Sequence, residues 1–245
     1  MSKNYQLIIS YDGSSFFGWQ IQNDVRTIQG EIEKELKSIF KVDNINLIGS
    51  GRTDSGVHAN GQVANFKMKT NMSEEQIKNA INRKLSNDIL IKNCKIVSAD
   101  FNSRFAAINR EYIYYIIEDY SPINRMYFWH CKWPINKDRL DECADLLIGR
   151  NDYTLFSKAS SETKNKICEI SYSKWDFNDN QYSYKIIGNR FLQHMVRLLV
   201  GTMIEVGRER LTIENFKNIL NCKEDKVTAV RAPASGLFLN KIYYE

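Results

Sequence analysis

The sequence has few of the residues that hold metals or crosslinks. Its five cysteines, Cys94, Cys131, Cys143, Cys168 and Cys222, are odd in number, and no two form a CxxC pair. That fits a reducing compartment and argues against a zinc site. The three histidines, His58, His130 and His194, are not spaced from one another as ligands, so no metal site is expected. Cys-His nucleophilic catalysis has no local signature either. There is no GxGxxG and no P-loop, because GSGRTDSG lacks both the spacing and the lysine, and this argues against a nucleotide-triphosphate enzyme. No window approaches about eighteen consecutive apolar residues, so no membrane span is expected. The opening MSKNYQLIISYDG enters a strand-like pattern without the charged and apolar regions of a secretory signal, and a cytoplasmic protein is expected. No short-period repeat or low-complexity tract is present.

What remains is ordinary globular material: 245 residues, 43% hydrophobic and 26% charged, enough for one large domain or two modest ones. The 34 Lys+Arg against 29 Asp+Glu give a net charge of +5 and a pI of about 8.8. This is a lean towards polyanions, with nucleic acid favoured over membrane. The stretch that stands out runs from Gly49 to Phe66, GSGRTDSGVHANGQVANF, where Gly49, Gly51, Gly56 and Gly61 surround Arg52, Asp54 and His58. Glycine permits left-handed backbone and close approach of a ligand, so this density predicts a tight, shaped loop between strands with Asp54 as a reactive carboxylate. An isolated Arg-x-Asp pair is more often a salt bridge within a turn.

Tyr5 to Asp12 alternates as a strand, and GSSFFGWQ (13–20) then breaks the pattern with aromatics that plug a core edge more often than they stack on bases. Ile28, Ile32, Leu36, Ile39 and Phe40 recur at helical spacing. Ile45 to Ile48 leads into the central loop, and Gln62 to Met68 leaves it as a strand. Ser73 and Gln76 predict a capping box for a helix buried through Ile77, Ala80, Ile81 and Leu85. Ile89 to Ile91 and Lys95 to Ala99 read as two short strands. The order is that of a ferredoxin-like, split βαβ unit: an antiparallel sheet with helices on one face. The period is lost around Phe101 to Asn109, which places the domain junction there, with domains 1–105 and 106–245.

A second series follows. Glu111 to Glu118 is a strand with Tyr112, Tyr114 and Ile116 on one face and Ile113, Tyr115 and Ile117 on the other. Leu140 to Ile148 is a helix that Asn136 caps and Gly149 ends. Lys158 to Lys166 is a polar, mobile loop. Ile167 to Trp175 and Tyr182 to Ile187 pair as strands. Phe191 to Val206 is a long apolar helix carrying His194 and Arg197, followed by a helix over 213–220 and a strand over 237–243. The second half reads as an elaborated copy of the first. Arg197 within an apolar helix calls for a carboxylate partner, and Asp54 is the attractive one.

GRTDSGVHA at Gly51 to Ala59 resembles the signature of the tRNA pseudouridine synthase A family. The likeness continues through FNSRFAAINREYIYYI, FLQHMVRLLVGTMIEVG and SGLFL, and so spans nearly the whole chain in order. It implies an α+β pseudouridine synthase fold of two ferredoxin-like units forming a mostly antiparallel sheet flanked by helices. It also implies isomerisation of uridine to pseudouridine at positions 38, 39 and 40 of the tRNA anticodon stem-loop. Asp54 matches the family's catalytic aspartate, Tyr112 its active-site tyrosine and Arg197 the arginine of its MVR helix. His58 falls inside the signature and is, like Tyr112 and Arg197, a candidate for substrate binding, and Arg52, Arg104 and Arg110 are candidates for phosphate contacts. Glu111 stands where many relatives have a second arginine, which bears on one phosphate contact. No redox change occurs in the reaction, so no cofactor is expected. The resemblance also implies a homodimer bridged by one tRNA. Two other classes fit parts of the pattern: an RNA-binding protein without catalysis, which would not need Asp54, Tyr112 and Arg197 together, and a nucleoside hydrolase, which would release free uracil.

Overall fold

The computed structural model describes residues 1–160, 163–223 and 227–245. The chain divides into two compact units, Met1–Ile108 with Phe238–Glu245, and Asn109–Leu237. The sequence expectation set its boundary at 105/106 and kept the last strand with the second domain. Residues 238–245 fall in the first unit, where Phe238 and Leu239 pair in parallel with His58 and Ala59.

The first unit runs β1 (Lys3–Tyr11), α1 (Ile28–Phe40), β2 (Ile48–Gly49), β3 (His58–Met68), α2 (Glu74–Asn82) and β4 (Ile89–Val97). β1 lies between β3 and β4, antiparallel to both, and β2 pairs antiparallel with β3. The spatial order β4-β1-β3-β2, with a helix in each crossover, is ferredoxin-like. Tyr5, Leu7 and Ile9 are fully buried, and Phe66 of β3 stacks on Tyr5 at 5.4 Å while meeting Phe40 of α1 at 6.0 Å. Ile28, Ile32 and Leu36 of α1 and Ile77 and Ile81 of α2 complete this core. Each such side chain, fully buried, is worth roughly 1.5–3 kcal/mol. The helix starts follow from local chemistry. Thr27 accepts a hydrogen bond from the Gly30 N–H, and Ser73 and Gln76 bond each other's backbone N–H reciprocally.

Two expectations in this unit need correction. β4 is one strand, not two. Its pairing shifts between Ile8↔Asn93 and Ile9↔Ile91, and the bulge at Lys92 lets Ile89, Ile91 and Cys94 all turn inward. The extra residue breaks the period of two and makes one strand look like a pair. β3 starts at His58, well before Gln62, because burial on both faces along this stretch removes the alternation that marks a strand.

The second unit runs β5 (Asn109–Ile117), a short 3-10 turn (Asn124–Met126), β6 (Trp129–His130), α3 (Lys137–Asp145), β7 (Gly149–Asp152), β8 (Ile167–Asn178), β9 (Gln181–Gly188), α4 (Met195–Gly207) and α5 (Ile213–Leu220); β10 (Leu237–Tyr243) then carries the chain back. The order is β5-β9-β8-β7, each pair antiparallel, with β6 parallel to β5. Asn136 caps α3 and Gly149 follows with φ +99°. α4 begins at Met195 and not at Phe191, because His194 takes a left-handed conformation at φ 67° that a continuing helix does not allow. Residues 161 and 162 of the polar 158–166 stretch lie outside the described residues. Among the described residues no helix is long and apolar enough to cross a membrane.

Candidate active site

The glycine-rich loop of the first unit spans residues 50–57, between β2 and β3, and Asp54 lies half-buried at its centre. The loop is held by the connection between β1 and α1. The Trp19 N–H donates to the Thr53 carbonyl at 3.1 Å and the Gly56 N–H to the Phe16 carbonyl at 3.2 Å. The Ser55 hydroxyl also reaches the Phe16 carbonyl at 3.1 Å, and the Tyr11 and Thr53 hydroxyls share a buried hydrogen bond of 2.8 Å. Val57 N–H closes the turn on the Asp54 carbonyl at 3.2 Å.

Gly18 is what lets the two segments meet. Its φ is +88°, and a Cβ there would stand 2.5 Å from the Thr53 carbonyl oxygen and 3.1 Å from the Asp54 carbonyl carbon. A side chain at this position collides with the backbone that carries Asp54. Gly51 contrasts with it, since a Cβ there would meet nothing within 4 Å. The aromatics of GSSFFGWQ divide accordingly: Phe16 and Trp19 are buried beneath the loop and Phe17 is exposed.

His58 opens β3 and is 1% exposed. Its Nδ1 lies 3.1 Å from the Gly13 N–H, which donates to it, and 3.2 Å from the Asp12 carboxylate, while its ring stacks on Phe238 at 4.6 Å. It is a fixed internal side chain. Arg52 is exposed at the rim of the loop, and Arg104 is exposed on a turn pinned beside β2 and β3. That turn is anchored by the Ser103 N–H on Asn65 Oδ1 at 2.8 Å and by the Ser103 hydroxyl on the Ile48 carbonyl. Arg52 and Asp54 thus share the loop and His58 follows it at the start of β3, whereas the turn that bears Arg104 is anchored at Asn65, further along the same strand.

In the second unit, Tyr112 and Arg110 both meet the connection from β9 to α4. Tyr112, 9% exposed, sets its ring edge-on to Phe191 at 5.1 Å, and the Arg110 guanidinium donates to the Asn189 carbonyl at 2.6 Å. Arg197, in the first turn of α4, is clasped to the 232 segment twice: its Nε–H donates to the Ala232 carbonyl, and the Ala232 N–H donates to its carbonyl, both at 2.9 Å. The neighbouring Tyr114 hydroxyl donates to the Pro233 carbonyl at 2.8 Å. Burial pushes the Tyr114 phenol well above its ordinary pKa, with the Arg197 charge opposing the shift. Tyr114 is therefore a neutral donor at neutral pH.

Sequence reasoning missed the brace. The glycine at position 18, set between aromatics, was the available signal. The clasp at Ala232 had no signal of its own, because RAPA carries neither period nor charge pattern. Among the described residues no group of three or more His, Cys, Asp or Glu is placed to hold a metal ion.

A family model described as tRNA pseudouridine synthase matches residues 7–106 and 143–245. The chain is similar to the tRNA pseudouridine synthase A of Borrelia turicatae, 43% identical over 239 residues that cover 97% of each chain. It is similar also to that of a Geobacillus species, 36% identical over 247 residues and the whole of both chains. The Thermodesulfovibrio yellowstonii protein of the same name is 37% identical over 254 residues, covering 98% of this chain and 99% of its own.

Proposed function

This chain belongs to the tRNA pseudouridine synthase family and is therefore an isomerase that turns uridine into pseudouridine in tRNA; from that premise we propose that its targets are positions 38, 39 and 40 of the anticodon stem-loop and that Asp54 is the reactive carboxylate. The reaction breaks the bond from uracil N1 to ribose C1′, turns the base and joins C5 to C1′. A carboxylate serves it by attack at C1′ or at C6 of the ring. The observation that carries the assignment to Asp54 is the brace beneath it. A turn that needed only a surface salt bridge would not require Gly18, Trp19 and Phe16 to lock its backbone from below. A catalytic group held this way needs little reorganisation in the transition state.

Tyr112 and Arg197 are the residues of the second unit that we assign to the same reaction. Tyr112 stacks on the target base or relays the C5 proton, and Arg197 supplies positive charge for the reacting carboxylate. The target base must leave its stack, at a cost of a few kcal/mol. Arg52, Arg104 and Arg110 offset part of that through phosphates, so binding should weaken as salt rises. His58, being buried, supports the loop through Asp12 and Gly13 and does not touch RNA. We place the enzyme in the cytoplasm as a homodimer on one tRNA, which sedimentation of the free and RNA-bound protein would check.

The test is carbodiimide mapping of an unmodified tRNA transcript treated with wild-type protein or Asp54→Asn. Stops at 38 to 40 for the wild type, and none for a variant that still binds, are the expected result. Stops elsewhere would discard the position assignment, and stops persisting in the variant would discard Asp54.

A further inference from the structure

In the second unit, away from β5, one cluster combines a half-exposed aromatic ring with cations. After β6 the chain runs Lys132-Trp133-Pro134-Ile135-Asn136 across the C-terminal end of α4. The Asn136 N–H donates to the Gly207 carbonyl at 2.8 Å, and a Cβ on Gly207 would come within 2.8 Å of Ile135 Cγ2, so the segment is seated closely. Trp133 nonetheless keeps 36% of its surface exposed. The Arg208 guanidinium lies over its ring at 3.5 Å, fixed there by Glu205 at 2.7 Å, and the Arg208 side chain is only 6% exposed. The Lys132 ammonium stands 5.6 Å and the Arg210 guanidinium 5.9 Å from the same ring. Trp133, Asn136, Arg208 and Arg210 are among the residues that line an open pocket of about 410 Å³.

The charges do not cancel. Arg208 and Arg210 share Glu205, Lys132 adds a third cation beside the ring, and Glu209, which also lines the pocket, is already paired with Arg139 at 3.3 Å. Were the cluster only a lock between the segment and α4, the buried stack of Arg208 on Trp133 would suffice. It would leave the 63% exposed Arg210 side chain and the open part of the indole without a purpose. An aromatic surface flanked by exposed cations is what single-stranded RNA recognises, by stacking one base and placing its phosphates on the charges.

We propose that the Trp133 pocket is an RNA-contact subsite, in which an unpaired base of the tRNA stacks on Trp133 while Arg210 and Lys132 take the flanking phosphates. This rests on tRNA being the substrate and not on which uridine reacts. Trp133 lies between the two stretches matched by the family model, 7–106 and 143–245.

The experiment compares binding and turnover of one full-length tRNA transcript by the wild type, Trp133→Ala, Trp133→Phe and Arg210→Glu. Loss of a stacked base should raise the Kd of Trp133→Ala about tenfold. Trp133→Phe should stay within about twofold of the wild type because it keeps a π face. Arg210→Glu should weaken binding several-fold and lower the salt slope by about one phosphate contact. The rate at saturating tRNA should be unchanged in all three. Variants that bind as the wild type does overturn the proposal. So does a Trp133→Ala that only loses thermal stability while Arg210→Glu binds normally, which would leave the cluster a packing lock. Wild-type modification outside positions 38 to 40 would strike the position assignment alone, since the subsite is judged on the binding ratios. A wild type that binds no tRNA overturns both.

Discussion

The two units repeat one strand plan, and they differ most at the same connection. In the first, the sheet order β1-β3-β2 follows a strand, a helix and two strands; in the second, β5-β9-β8 follows the same plan with the short β6 inserted before the helix and β7 after it. The link between the later two strands is residues 50–57 in the first unit and only Asp179 and Asn180 in the second. The short link is a hairpin whose ladder, Asn178↔Gln181 onward, holds it without help. The long link carries Asp54 and cannot hold itself, so it leans on the segment that follows β1. A loop freed from hairpin geometry can present a functional group, but only where a second segment restores its rigidity.

Replacing Asp54 by Asn should break the comparison most sharply. We expect product formation to fall by about a thousandfold or more, on the order of 4 kcal/mol, with thermal stability unchanged. An active Asp54→Asn would mean that the long link is only a longer turn. Gly18→Ala comes next. The new Cβ meets backbone at 2.5 Å in a left-handed conformation, and a stability loss of about 2–4 kcal/mol with a matching loss of activity is expected. Thermal melting decides this, and a wild-type melting temperature would remove the brace from the account.

Alkaline pH should separate the units by their buried acids. Burial raises Cys143 to about 12 and Cys168 to about 11, and Tyr153 to about 12, in the second unit, against Cys94 at about 12 in the first. These groups fold protonated. Their contribution is complete below the unfolded thiol value near 9 and is lost as pH rises towards the folded values. The loss is about 1 kcal/mol per buried thiol near pH 10. Hydrogen exchange followed from pH 8 to 10, corrected for intrinsic rates, should show the second unit weakening more; equal weakening would contradict this. The smallest effect is expected from Asp179→Gly in the hairpin. Asp179 is also left-handed, at φ 47°, yet it lies in an exposed turn, so stability should move by less than about 1 kcal/mol with full activity. A large effect in melting or turnover would show that the short link is not self-sufficient.

Much of this was readable from residue order. The helix caps at Ser73 and Asn136, the strand faces of Tyr112 and Tyr115, and the loop at Asp54 each follow from a few neighbouring residues. The bulge at Lys92 and the early start of β3 were hidden because pairing and two-sided burial override the period of two. The buried state of His58 was equally hidden, since nothing local says that Phe238 will cover it.

Sequence by itself determined the family, the split βαβ plan and the glycine-rich segment that carries Asp54, because glycine spacing, apolar period and capping residues act over a few positions of chain. Tertiary structure alone decided that Gly18 and Trp19 stiffen that segment, that Ala232 clasps Arg197 and that Trp133 stays open among cations. Those are contacts between residues far apart in the chain, and their energies depend on distances that only the packed fold sets.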